Sequence, residues 1–193
     1  MSLHLWHNLS PGPDPPTVIH AVIEVPKGSR NKYEYDKQAG VIKLDRVLYS
    51  PLHYPGDYGF IPQTYFDDGD PLDILVIMNE ATFPGCVVEA RPVAMFQMLD
   101  DHHPDNKILA VPATDPHFAD YHDLDDLPHH LPVEIEHFFT TYKQLQGITV
   151  QSNGWVKAAS AYQTIMDSLE RYRATFSSDV PRTPTKERKH HSP

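Results

Sequence analysis

The chain has 193 residues and a formal net charge of −10, from 16 Lys and Arg against 26 Asp and Glu. That length supports one domain, with or without tails, and a core that needs no disulfide help; Cys86 is the single cysteine, so no intramolecular disulfide framework exists. The acidic balance argues against nucleic acid or anionic lipid as a partner, and no apolar run approaches the ~20 residues that span a bilayer.

Residues 1–16 contain four prolines in a short polar stretch and read as an extended N-terminal arm. No basic segment followed by an apolar one opens the chain, and with the lone cysteine this leads us to expect a reducing, cytoplasmic setting. Thr17 to Val25 is β-branched and closes at Pro26-Lys27-Gly28, as a strand does. Lys32–Tyr35 and Val41–Leu48 form a strand pair around the turn Asp36–Gly40. Ser50 to Gln63 is rich in Pro and Tyr and shows no period. Pro71–Met78, Val87–Met98 and Lys107–Val111 are further strands.

Two helices follow. Val133 to Gln146 begins after Pro132 and stops at Gly147, with Ile135, Phe138, Phe139, Tyr142 and Leu145 at helical spacing. Lys157 to Phe176 carries a second stripe through Ala161, Ile165, Leu169 and Tyr172. Residues 177–193 lack apolar periodicity and read as a mobile tail. Its net charge of +2 leaves the body at −12. Short strands followed by helices imply a twisted sheet or small barrel with helices outside it, within one domain over residues 17–176.

The acids concentrate between Asp67 and Asp126, where 14 Asp or Glu face two bases, Arg91 and Lys107. Clustered carboxylates raise one another's pKa unless a cation intervenes. Asp68-Gly69-Asp70-Pro71-Leu72-Asp73 sets three of them on a tight turn entering the apolar strand Ile74–Met78. Such a turn is either solvated surface or a preorganised oxygen cluster for a hard cation. Leu72 and Asp73 stand where an EF-hand needs a ligand and a glycine, which rules that loop out. The clusters Asp100, Asp101, Asp105 and Asp120–Asp126 follow, the latter read as solvated surface.

The bases lie upstream. Arg46 shares strand parity with Ile42, Leu44 and Leu48, so it is expected on the core face and needs an anionic partner. That partner is Glu24 or Glu34 in a buried ion pair, or an anionic ligand held by the guanidinium fork. Tyr142 and Lys143, at one helix edge, either pack the core or hold anionic oxygens. Together the acidic turns and inward bases suit a Mg²⁺–phosphate complex, which Mg²⁺ binds through one or two carboxylates plus substrate oxygens. There is no G-x-x-x-x-G-K-[ST] run, so the chain is not a P-loop NTPase.

At these residues the sequence resembles the family I soluble inorganic pyrophosphatases. Asp68-Gly69-Asp70-Pro71-Leu72-Asp73-Ile74 matches that family's signature D-[SGDN]-D-[PE]-[LIVMF]-D-[LIVMGAC]. Ile23-Glu24-Val25-Pro26, Lys32-Tyr33-Glu34, Asp45-Arg46, Tyr54-Pro55-x-x-Tyr58-Gly59, Lys107–Pro112 and His137-Phe138-Phe139 leading to Tyr142-Lys143 support it in order.

The resemblance implies a five-stranded, OB-like β-barrel with flanking C-terminal helices, a mainly β or α+β fold. It implies Mg²⁺-dependent hydrolysis of pyrophosphate to two orthophosphates without a covalent phosphoenzyme. Asp68, Asp73, Asp100 and Asp105 resemble the metal ligands, with Asp73 bridging, and Asp70 the acid that orients or deprotonates the attacking water. Lys32, Arg46, Tyr58, Tyr142 and Lys143 resemble the groups that hold pyrophosphate oxygens, with Glu24, Glu34, Tyr54 and Lys107 around them. Asp101 stands where the family often has Glu. A homo-oligomer, favoured as a hexamer, is also implied. The alternatives are a Mg²⁺-dependent hydrolase of nucleotide or short polyphosphate anhydrides, and a non-catalytic divalent-metal scaffold.

Overall fold

The computed structural model describes residues 4–176, so the tail expected from residue 177 lies outside the described residues. The strands are β1 (Ile19–Val25), β2 (Asn31–Asp36), β3 (Val41–Val47), β4 (Asp57–Phe60), β5 (Asp73–Val76), β6 (Val87–Asp100), β7 (His103–Pro104), β8 (Lys107–Pro112) and β9 (Val150–Lys157). Helices α1 (His130–Thr141) and α2 (Ala158–Phe176) lie late in the chain. Seven strands make the main sheet, in which β1, β4, β5, β8 and β6 neighbour one another in turn and β6 pairs again with β1. This is the expected barrel-like, five-strand arrangement, with β7 and β9 added along β6.

The barrel strands bury both faces, which explains their near-continuous apolar runs. In β5, Ile74 and Val76 face one core cluster with Ile108 and Ala110 of β8, while Leu75 joins Leu109 and Val111 in another. Helix α1 supplies Ile135, Phe138 and Phe139 to the second cluster, and α2 supplies Ala161, Ile165 and Leu169 to the first. The β5–β8 pair is parallel and in register, with Asp73 opposite Lys107. Strand β4, hidden from sequence reasoning in the Pro- and Tyr-rich segment, passes so close to β1 that a Cβ on Gly59 would lie 1.8 Å from the carbonyl oxygen of Val22. Strand β9 also escaped notice, because it is polar and interrupted by Gly154 at φ 86°.

The β2–β3 hairpin forms a separate two-stranded sheet. Its turn is built by Asp36, whose carboxylate accepts from the amides of Gln38 and Ala39 at 3.0 and 2.9 Å. The parity of β3 holds except at Leu44: Ile42 and Arg46 are half-buried and Leu48 is buried, while Val41, Lys43, Asp45 and Val47 are exposed. Leu44 is 49% exposed, and Arg46 is half-buried beside Asp45, to which its Nη1 donates, instead of pairing with Glu24 or Glu34. Helix α1 ends earlier than Gly147 suggested, and Leu145, beyond it in a 3₁₀ turn, is 66% exposed. The Asp120–Asp126 loop does more than face solvent. Asp123 accepts from the first amide of α2, Ala158, at 2.9 Å, and Asp126 accepts from His122 and Asp123 at the same distance.

The N-terminal arm folds back onto the domain. Trp6 is buried in a third cluster with Val22, Tyr35, Phe60 and Tyr172. Its indole Nε1 donates to the carbonyl of Thr64 at 2.8 Å. Among the described residues no helix is long and apolar enough to cross a membrane.

Candidate active site

A cleft of about 300 Å³ opens where the starts of β5 and β8, the end of β6, the β2–β3 hairpin and the end of α1 meet. Nine of the ten residues singled out from the sequence line it: Lys32, Tyr58, Asp68, Asp70, Asp73, Asp100, Asp105, Tyr142 and Lys143. Arg46 does not line it, although its charge reaches Tyr142 at the cleft wall and Tyr54, which packs on Tyr58. The Arg46 Nε is buried and has no hydrogen-bond partner among the described residues.

Gly69, at φ 86°, lets the chain turn so that Asp68 and Asp70 point from one loop. The amide of Asp70 donates to Oδ1 of Asp68 at 3.0 Å, which fixes the turn. Asp73 then begins β5 and its register partner Lys107 begins β8. The Lys107 ammonium is 3% exposed and donates to both Asp73 Oδ2 and Asp105 Oδ1. Tyr58 donates its hydroxyl to the same Asp73 oxygen at 2.6 Å. On the opposite wall Lys143 pairs with Asp100, and Lys32 with Glu34 at 2.5 Å. Tyr142 stacks on Phe138 with ring centroids 5.1 Å apart, and Tyr54 lies 4.9 Å from Phe138 and 5.3 Å from Tyr58. The Tyr142 ring packs the core, and both Tyr142 and Lys143 line the cleft.

The electrostatics show a cluster short of positive charge. Burial raises the pKa of Asp73, Lys107 only partly offsets it, and Asp105 raises it further. Burial and the neighbouring carboxylates of Asp73, Asp70 and Asp105 also raise Asp68. Burial would raise Asp105 too, but the ammonium groups of Lys107, Lys143 and Lys32 leave it below its ordinary value. Lys107 is held protonated by Asp105 and Asp73 against the opposing effect of burial. Burial lifts Tyr54, Tyr58 and Tyr142 well above the ordinary tyrosine range, so all three remain hydroxyl donors. Glu24 is pushed up to about 8, chiefly by burial, against the backbone amide of Tyr35 that it accepts at 2.6 Å.

A divalent cation answers this deficit. Oδ1 of Asp100 is buried with no hydrogen-bond partner among the described residues, and the acidic donors are all carboxylate oxygens, the set a hard cation prefers. Among the described residues no three acidic, His or Cys side chains already converge as a metal cage. Lys107 stands between Asp73 and Asp105 instead, and Mg²⁺ needs only one or two carboxylates with water and substrate oxygens to complete its shell. The donor chemistry fits Mg²⁺.

Two contributors escaped sequence reasoning. Lys37, in the hairpin turn, lines the cleft and pairs with Asp70. His103, shortly before Asp105, lines it as well. Neither spacing nor parity marked them, because Lys37 sits in a turn and His103 in a strand of two residues, too short to show a period.

A family model described as inorganic pyrophosphatase matches residues 21–173. A protein of Haloferax volcanii named inorganic pyrophosphatase is 50% identical over 175 residues, covering 90% of this chain and 99% of that one. One of Halobacterium salinarum with the same name is 51% identical over 174 residues, 90% of this chain and 98% of its own. The crystal structure of inorganic pyrophosphatase from Thermus thermophilus superposes with a TM-score of 0.86 at 45% identity, over 89% of this chain and 99% of that one.

Proposed function

Since the chain belongs to the inorganic pyrophosphatase family, we propose that it hydrolyses inorganic pyrophosphate to two orthophosphates at the cleft between β5, β8 and α1. The observation that carries this is the convergence, in one cleft, of five aspartates with four lysines and three tyrosines. A polyanion enters such a site only with cations, and the carboxylates alone would repel it. Mg²⁺, when bound, supplies positive charge that lowers the pKa of a water and offsets the charge of the substrate.

Asp68, Asp73, Asp100 and Asp105 are the residues to hold it. Tyr58 orients the Asp73 carboxylate through its 2.6 Å hydrogen bond, and Lys107 keeps Asp73 and Asp105 together. Asp70, on the turn beside them, accepts the proton of the attacking water and aims the oxygen in line with the scissile bond. Lys32, Lys143 and Arg46 bind phosphate oxygens and stabilise charge on the leaving phosphate, with Tyr142 donating a neutral hydrogen bond and Tyr58 contributing through Asp73. The attack is direct, with no phosphorylated side chain.

Residues 17–176 form the single catalytic domain in this reading. The protein works in the cytoplasm as a homo-oligomer, a hexamer by likeness to its family. Purified protein with Mg²⁺ is expected to release phosphate from pyrophosphate and far less from ATP. Faster release from ATP would point to a nucleotide hydrolase, and no release from pyrophosphate with any divalent metal would refute the activity.

A further inference from the structure

The N-terminal arm touches the hairpin wall of the cleft and, on the other side, the Gln63–Thr64 segment that supports the Asp68–Asp73 turn. On the hairpin side, His4 Nε2 lies 2.9 Å from the carbonyl of Lys37, and the amide of Leu5 donates to the Tyr35 hydroxyl at 3.0 Å. Between them the Trp6 ring lies under the Lys37 ammonium, 5.3 Å from centroid to Nζ. On the other side, Trp6 Nε1 donates to the carbonyl of Thr64 at 2.8 Å, and the Trp6 carbonyl accepts from Gln63 at 2.9 Å. Thr64 Oγ1 in turn accepts from the amide of Leu72, inside the Asp68–Asp73 turn, at 2.8 Å. One buried indole therefore sets the spacing between the Lys37 turn and the Asp70 turn, and Lys37 spans that spacing to pair with Asp70.

We propose that Lys37 is a positioning residue for Asp70, aimed by Trp6 of the N-terminal arm, so that the arm is a working part of the catalytic site. The physical reason is that the Asp70 side chain is 56% exposed on a glycine-containing turn, and an exposed carboxylate samples several rotamers. Lys37 selects one of them, and Trp6 limits where the Lys37 stem can lie. An ammonium on an aromatic face keeps its charge while losing freedom, which suits a strut. The proposal rests on the reading of Asp70 as the acid that orients the attacking water.

The test is steady-state hydrolysis of pyrophosphate with Mg²⁺ by the full chain and five variants. Asp70→Asn comes first; near-normal turnover there would overturn the role of Asp70 itself. With Asp70 upheld, Lys37→Met is expected to lower kcat by ~10-fold with KM nearly unchanged, the signature of lost orientation. Lys37→Arg, which keeps the charge and can stack on the indole, should recover most of that loss. Trp6→Leu should lower kcat in the same way, and adding it to Lys37→Met should cost little more. Unchanged kcat in Lys37→Met, a raised KM with normal kcat, or losses that multiply in the double variant would each overturn the proposal. Since Trp6→Leu removes a buried ring, its melting curve is measured as well, and the Lys37 variants decide the question if it fails to fold.

Discussion

Tyr58 donates its hydroxyl to Oδ2 of Asp73 at 2.6 Å, from β4 to the first residue of β5. The tyrosine is buried and its pKa lifted, so the proton stays on the phenol and the carboxylate receives it as a fixed hydrogen bond. Tyr58→Phe removes that bond alone. A hydrogen bond to a charged group contributes about 1.5–3 kcal/mol, so kcat/KM should fall by roughly 10- to 100-fold. Phosphate-release kinetics check this. A loss of less than about threefold would mean that Asp73 is oriented without the hydroxyl.

Asp73 carries a larger expectation. It lies on a strand whose apolar residues hold their places without it, so Asp73→Ala should remove measurable turnover while the melting temperature stays close to that of the parent. Near-normal turnover would show that the bridging role is misassigned.

Lys107 gives a metal-dependent prediction. Its ammonium is buried and neutralises two carboxylates, so Lys107→Met leaves Asp73 and Asp105 facing each other. Breaking a buried pair of this kind costs about 3–5 kcal/mol. The loss should be large in EDTA and much smaller in Mg²⁺, because a divalent cation can supply the missing charge. Thermal melts under the two conditions test it. Equal destabilisation with and without Mg²⁺ would count against a cation beside these two residues.

Glu24 predicts how stability depends on pH. Its folded pKa is pushed from 4.5 up to about 8, so the folded chain binds this proton more tightly than the unfolded chain. The contribution is complete below the unfolded value and is lost as pH rises through the folded one. In EDTA, the parent should melt lower as pH is raised from about 5 to about 9. Glu24→Gln keeps an oxygen to accept the Tyr35 amide and removes the ionisation, so it should flatten that decline. Parallel pH profiles for the two proteins would contradict it.

Gly59 tests the barrel. A methyl group there meets the Val22 carbonyl, a backbone atom that cannot rotate away. Gly59→Ala should destabilise the chain by about 1–3 kcal/mol or more, measured by denaturant unfolding. The same variant should lose activity, because the strand it displaces carries Tyr58.

Most of the site was legible because it lies in short contiguous runs. The Asp68–Asp73 turn and the buried strand after it are local features, and local chemistry survives into the fold. Parity found the less exposed face of β3, Ile42, Arg46 and Leu48, but could not name the partner of Arg46, which is its neighbour Asp45 from the other face. Strand β4 was invisible because Pro and Tyr mask its period, and Gly59 is explained only by its distance to β1. Lys37 and Trp6 were opaque for a different reason. Their meaning lies in contacts with residues 33 and 58 positions away, Asp70 and Thr64, and no local pattern encodes such a meeting.

The register of β5 against β8 has a bearing on folding fidelity. Because side chains alternate between two cores, a slip of one residue would turn every apolar group to the opposite face, and packing forbids it. A slip of two residues restores the alternation and would leave a pattern of aliphatic contacts much like the native one. It would also set Leu109 opposite Asp73 in place of Lys107, burying a carboxylate beside a hydrocarbon. Hydrophobicity alone thus leaves two alignments in competition, and the contact between Asp73 and Lys107 favours the native one. The charges that make this cleft reactive also tell the chain when its strands are correctly aligned.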